Sequence, residues 1–175
     1  MSTYQIDSSH SSAGFSIKHM MIAKVHGAFE KVSGQLNYNP ANPEKASVQV
    51  SIEAASINTR EPQRDAHLKS ADFFDVEKCP TLTFNSTRVE KDGDGLKVTG
   101  DLTIHGVTRS VVLQVEGPSE EMKDPWGNLK IGASATTKIK RKDFGLTWNA
   151  ALEAGGVLVG DDVSISLDVQ FAKKA

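Results

Sequence analysis

The chain has 175 residues, 38% of them hydrophobic, and with 14 glycines it has the apolar share of a folding domain rather than of a disordered chain. Twenty Lys and Arg against 22 Asp and Glu give a formal net charge of -2 without a basic stripe, which excludes the electrostatic footprint of nucleic-acid binding. The lone cysteine, Cys79, excludes an internal disulfide and a cysteine-rich metal cage, and at this length a single domain over residues 1–175 with one core is expected.

The opening Met1-Ser2-Thr3-Tyr4-Gln5-Ile6-Asp7 has no cationic start, apolar run or small-residue cleavage site. As written, the chain is expected to be cytoplasmic, or periplasmic if a leader has been removed. Tyr4 to Asp7 reads as a short edge strand, and Phe15 to His19 as a further weak strand. Apolar runs such as Met20-Met21-Ile22-Ala23 and Val157-Leu158-Val159 fall far short of the roughly 18 residues of a membrane span, so a soluble protein is expected. Phe29 to Tyr38 reads as one strand, ended by the turn residues Asn39-Pro40-Ala41-Asn42-Pro43. From Val48 the alternation is clear, with Val48, Val50, Ile52 and Ala54 on one face and Ser47, Gln49, Ser51 and Glu53 on the other.

The alternation stops between Asn58 and Lys69. Thr59 suits an N-cap, Glu61 the positive first turn and Pro62 a helix start, so one helix of about three turns is expected there. Its apolar content is slight, Ala66 and Leu68. Phe73 and Phe74 follow it in Ser70-Ala71-Asp72-Phe73-Phe74-Asp75 and read as a plug. Period two returns from Leu82 to Val89, and after Asp92-Gly93-Asp94-Gly95 it places Leu96, Val98, Gly100, Leu102 and Ile104 on one face. His105-Gly106 turns the chain into a strand with Val111, Leu113 and Val115 inward. Ile131, Ala133, Ala135, Thr137 and Ile139 form the next inner face, and Val163, Ile165, Leu167, Val169 and Phe171 the last. All six prolines lie outside these strand interiors.

About eight mostly antiparallel strands with one helix must pair or close their edges, and a barrel is the expected solution. A barrel of eight strands is either filled by side chains or holds one small ligand. Gly100, Ala133 and Ala135 could leave space or admit large neighbours, so the pattern alone leaves both open.

No pair among His10, His19, His26, His67 and His105 has metal-ligand spacing, and no metal or cofactor is expected. His10 and His105 read as strand-end residues bonding turn backbone, and His67 as polar decoration of the helix. No Gly-x-Ser-x-Gly occurs, and Cys79 precedes Pro80 without a basic partner. Gly155 to Gly160 lacks the Lys-Ser/Thr of a phosphate loop and leads into a strand. Asp65, Asp72 and Asp75 with Arg60, Arg64 and Lys69 read as a solvated, partly paired surface. The basic run Lys138 to Lys142 reads as an exposed strand end.

The motifs, in order, resemble those of the YceI-like family of lipid- or polyisoprenoid-binding proteins. Tyr4-x-Ile6-Asp7-x-x-His10-Ser11, Phe15-x-Ile17-x-His19 and Val25-x-Gly27-x-Phe29 resemble its opening. The most specific stretch is Arg64-Asp65-x-His67-Leu68-Lys69-Ser70-x-Asp72-Phe73-Phe74-Asp75, followed by Pro80-x-Leu82-x-Phe84. Gly100 to Arg109, Arg141-x-Asp143-Phe144-Gly145 and Gly160-Asp161-x-Val163-x-Ile165 complete the resemblance.

The resemblance implies an all-β fold: an eight-stranded antiparallel lipocalin-like β-barrel with one helix, short helical turns and an elongated apolar channel for a long-chain amphiphile. It implies a non-enzymatic carrier or store for a polyisoprenoid, an isoprenoid quinone or a fatty acid or amide, acting in stress or quinone metabolism. Gly106 would serve a tight turn, Asp143-Phe144-Gly145 a strand corner, and Asp72 and Asp75 caps of helical turns. The lining is expected from Phe15, Ile17, Phe73, Phe74, Phe84, Leu102, Ile104, Ile131, Ala133, Ala135, Ile139, Phe144 and Ile165, with His19, Arg64 and His67 meeting a head group. The partner would be a long-chain isoprenoid or other lipid, without nucleic acid or stable membrane insertion, and a homodimer is compatible with this. Two other readings stand beside the carrier. One is a small barrel enzyme using His67 and Asp65 at the mouth for acid-base chemistry on a bound hydrophobic substrate; the other is a filled barrel that binds only protein partners.

Overall fold

A computed structural model describes residues 1–149 and 158–175. Its strands are β1 (Ser2–Ile6), β2 (Ser12–His19), β3 (Ala23–Phe29), β4 (Val32–Tyr38), β5 (Ser47–Glu53) and β6 (Ile57–Asn58), then β7 (Thr81–Asp92), β8 (Gly95–Ile104), β9 (Val107–Glu116), β10 (Met122–Lys123), β11 (Leu129–Lys140) and β12 (Val159–Lys173). One helix, α1 (Pro62–Lys69), lies between β6 and β7.

The pairing is antiparallel throughout, and β11 pairs with β12 to close the sheet. Several short strands share one place in the wall. The hairpin β2–β3 continues the pair β1–β4, the joint lying at the 3-10 turn Ser8–His10, and both β1 and β2 pair with β12, at Ile6↔Phe171 and Ala13↔Leu167. Likewise β5 pairs with β4 and β6 with β3. Counted this way the wall is a closed eight-strand antiparallel barrel with one helix and short 3-10 turns. Closure removes most of the unpaired edge that an open sheet would expose.

The strands the alternation marks from Leu82 onward hold. Elsewhere details differ, and Phe29 to Tyr38 is not one strand: Phe29 ends β3 and β4 begins at Val32. Tyr4 to Ile6 is not an edge, because β1 lies between β12 and β4. Ala23–Phe29 forms a separate strand that the sequence pattern hides, since Gly27 stands on its inward face without a side chain. There is no room for one: a Cβ on Gly27 would come within 2.5 Å of the Phe15 ring and 2.8 Å of Thr59. Ala54 leaves the strand for a 3-10 turn, Ala54–Ser56, where it is fully buried. The helix is eight residues, about two turns, and starts at Pro62. Its cap is Glu61, whose carboxylate accepts from the backbone N–H of Gln63 (3.2 Å) and Arg64 (2.6 Å), while Thr59 is buried and bonds elsewhere.

At the barrel end that holds β1, Asp7 ties the split strand to the wall. Its carboxylate accepts from Lys130 Nζ at 2.7 Å and from Ser9 Oγ at 2.7 Å, and pairs with His10 Nδ1 at 2.9 Å. His10 thus bonds a carboxylate, not the turn backbone expected of it. Burial pushes the Tyr4 phenol up to about 12, with its hydrogen bond to Glu121 (2.9 Å) adding to the shift. At the opposite end, β8 and β9 are joined through His105 (φ 55) and Gly106 (φ 73), the paired positive φ values of a tight hairpin turn.

Candidate functional site

The barrel contains a cavity of about 380 Å3, within the range of small-molecule sites. It runs along the barrel and is lined from nearly every strand. The two buried clusters of the core both contribute to this wall, one through Phe29 and Leu36 and the other through Phe84, Leu96 and Leu113.

Space survives because small residues face inward at chosen places. On β11, Ala133, Ala135 and Thr137 line the cavity beside Ile139, opposite Ile165 and Leu167 of β12. Gly100 does the reverse: Phe84 fills the room it leaves, and a Cβ there would come within 2.4 Å of the Phe84 ring. Phe84, Leu102 and Ile104 face the cavity from that side. Phe15 and Ile17 reach it from β2, and Phe15 packs on Phe29 at 5.7 Å between ring centroids. Phe74 meets Phe29 edge-on at 5.4 Å, so the segment after α1 closes the wall with aromatic weight.

The charged and histidine lining residues gather at one end, near α1 and the β2–β3 tip: Lys18, His19, Arg64, His67 and Arg141. His67 is no surface decoration. Its ring stands edge-on to Phe73 (5.1 Å) and to Trp148 (4.7 Å), and Nε2 pairs with Asp72 at 2.9 Å. Arg64 reaches Thr59, Nε to the hydroxyl at 2.8 Å and Nη2 to the carbonyl at 2.6 Å. Thr59 in turn donates its backbone N–H (2.9 Å) and its hydroxyl to Asp65. Asp65 is therefore committed to holding the start of α1.

Eleven of the thirteen residues expected to line the channel do line this cavity, as do His19, Arg64 and His67, the three expected to meet a head group. Ile131 and Phe144 do not. Phe144 is 1% exposed in the 3-10 turn Arg141–Phe144 beyond the end of β11, sealed in the core behind the wall. Ile131 is buried near the other end of β11, opposite Phe171 in register, and it is Phe171 that lines the cavity.

The basic run hides the largest departure. Arg141 is not exposed but 3% exposed, and it lines the cavity. Its guanidinium donates to the carbonyls of Gly160 (Nε, 2.8 Å), Leu146 and Trp148 (Nη1, 2.6 and 2.9 Å) and, at 3.4 Å, Val159. Desolvation pulls its pKa down, and Asp161 opposes this. A buried charge is tolerable only when its donors are satisfied, and backbone oxygens do so here. Val25, Leu36, Tyr38 and Trp148 also line the cavity, beyond the residues expected from the sequence. Leu36 and Tyr38 were legible as alternate positions of one strand; Trp148 has no local pattern.

Among the described residues no group of three or more His, Cys, Asp or Glu could hold a metal ion, and no helix is long and apolar enough to cross a membrane. The cluster of Gly155 and Gly156 lies outside the described residues.

Comparison with known proteins agrees with this architecture. A UPF0312 protein of Photorhabdus laumondii subsp. laumondii is 43% identical over 143 residues, covering 81% of this chain and 74% of that protein. Protein YceI of Escherichia coli is 41% identical over 147 residues, covering 82% and 75%. Among solved structures, BcnA of Burkholderia cenocepacia superposes with a TM-score of 0.80 at 25% identity over 94% of this chain and 98% of that one. A polyisoprenoid-binding domain from Saccharophagus degradans, implicated in plant cell wall breakdown, has the same fold, with a TM-score of 0.69 at 17% identity over 99% and 100%. With the YceI-like domain model matching residues 4–171, the chain belongs to the YceI-like family.

Proposed function

We propose that the protein binds and carries, or stores, a long-chain amphiphile, with its chain along the barrel cavity and its head at the polar end, and performs no chemistry on it. The observation that carries this is the cavity itself: a long internal space walled by aliphatic and aromatic side chains, with the cationic and histidine groups among the described lining residues gathered at one end. An isoprenoid is the occupant we put first, since a polyisoprenoid-binding domain shares the fold. Burial contributes about 0.8 kcal/mol per methylene before ordering costs, enough for binding in the tens of micromolar for a chain of some twenty carbons. In this reading Arg64 and His67, which line the polar end of the cavity, are the residues that meet the head group.

The test is native mass spectrometry of protein purified without detergent, followed by organic extraction. A stoichiometric long-chain species is expected, and Ala135→Phe should deplete it by narrowing the channel. An empty spectrum together with failure to bind added isoprenoids and fatty amides would overturn the carrier reading and leave a barrel that binds only protein partners.

One contact favours a second reading. The His67–Asp72 pair, 2.9 Å apart on the cavity lining, has the form of an oriented acid-base group. An enzyme of this kind would turn over the extracted lipid, and His67→Ala would abolish turnover while leaving affinity nearly intact. Recovery of the lipid unchanged after incubation removes this reading.

A further inference from the structure

The β2–β3 hairpin ends in Met20, Met21 and Ile22, which are 44%, 60% and 84% exposed. Three consecutive large apolar side chains in water need a reason. The turn itself sharpens the point. Met20 (φ 53) and Met21 (φ 61) both adopt the left-handed conformation, where Asn and Gly are the usual residues of a two-residue turn. The chain keeps two methionines where smaller, polar residues would fit the backbone better.

Just below the tip, Lys18 stands directly across from Lys24. Like charges opposite each other in a ladder repel, and among the described residues neither lysine has an acidic side chain within ion-pair distance. The hairpin therefore carries an apolar fingertip over a cationic collar. It also stands at the polar mouth: Lys18 and His19 line the cavity, and the Met20 N–H donates to the Leu158 carbonyl (2.7 Å) of the wall. The exposed Met122 and Trp126 at the other barrel end lie beside Glu120, Glu121 and Asp124, with Lys123 among them and Lys173 and Lys130 paired to Glu121 and Asp124, so that end offers no unpaired cationic collar like that of Lys18 and Lys24.

We propose that the β2–β3 tip docks the barrel mouth onto an anionic lipid bilayer, so that the bound amphiphile passes between membrane and cavity without crossing water. This rests on the lipid-carrying reading and adds its route. Methionine side chains adapt to disordered acyl chains, lysine stems lie along the apolar surface with the ammonium among the head groups, and a tip of this size gives reversible attachment rather than insertion.

The test is co-sedimentation with vesicles of phosphatidylcholine alone and of phosphatidylcholine mixed with phosphatidylglycerol, beside binding of a dansyl-farnesol probe in solution. Wild type is expected to sediment with the mixed vesicles, to remain in solution with phosphatidylcholine alone, and to be released by salt. Lys24→Gln should weaken attachment by about fivefold. The double variant Met21→Asn/Ile22→Ser, which suits the turn, should abolish it while leaving probe affinity and thermal melting unchanged. Failure of wild type to sediment with mixed vesicles, or equal sedimentation of the double variant, overturns the docking. So does a tip whose loss changes only the oligomeric state by light scattering, since the occupant would then be a second copy. If wild type sediments with tip dependence but binds no probe, the docking stands and the carrier reading fails.

Discussion

Arg141 shows how far a single residue can depart from its sequence context. Lys138, Lys140 and Lys142 surround it, and nothing local separates it from them, yet it alone is buried, because the chain beyond β11 brings the carbonyls of Leu146, Trp148 and Gly160 around its guanidinium. Removing it leaves those oxygens without a donor in a dry place. Arg141→Met should cost about 3–5 kcal/mol, read as a lower urea midpoint at unchanged slope. Arg141→Lys should recover only part of this, since an ammonium cannot span the same fork of acceptors. A loss below about 1 kcal/mol for Arg141→Met would show that water replaces the cation freely. Asp7 makes a prediction in pH. The Lys130 ammonium, with Ser9 and His10, holds its carboxyl well below the usual carboxylate range. A depressed folded value means that the unfolded state takes up the proton first. The stabilisation is therefore complete above the unfolded value of about 4 and is lost as pH falls below it. The urea midpoint of wild type should drop as pH is lowered through about 4, and Asp7→Asn should start lower at neutral pH and drop less. Parallel profiles for the two proteins would contradict the assignment.

At the scale of elements, legibility followed side-chain periodicity and failed where periodicity is erased. The strands β8, β11 and β12 carry unbroken apolar alternation on one face, and they lie where it puts them. The third strand is hard to read because a glycine, which accommodates Phe15 and Thr59, interrupts its inward positions between Val25 and Phe29. The helix is legible in its starting residues, but Glu61 and not Thr59 caps it, since Thr59 is drawn into the bonds with Asp65 and Arg64. None of its residues is fully buried, and two turns are too few to hold by themselves. The cap, the Thr59 knot and the two phenylalanines after it hold it against the wall. Weakening the helix should therefore loosen the mouth before it loosens the barrel. Glu61→Ala is expected to cost about 1 kcal/mol of local stability. In stopped-flow dilution the release of dansyl-farnesol should quicken by about fivefold, the kinetic equivalent of that energy. The rate would stay at the wild-type value if the helix were only a bystander to ligand exchange.

For the molecule as a whole, the alternation implied a barrel but could not say whether it was hollow, because the same small inward residue can open space or invite a neighbour. Both happen here: Gly100 is filled by Phe84, whereas Ala133 and Ala135 stay on the cavity wall. The decision depends on which strands face each other across the interior, which no single strand encodes. The proposed lipid binding makes a final prediction, because a channel of fixed depth with a polar end would measure a chain laid along it. Each added carbon should strengthen binding by a constant increment while it still finds wall, at about 0.3 kcal/mol per heavy atom net of ordering costs. Some twenty atoms would then give affinity in the tens of micromolar. Beyond the depth of the barrel the increment should vanish, since further carbons must fold back or remain in water. A calorimetric series of prenyl alcohols of increasing length should therefore rise and then level, and in Ala135→Phe it should level at a shorter chain. A series that never rises would mean that only the head group is held, and one that levels at the same length in both proteins would mean that the chain does not lie along β11.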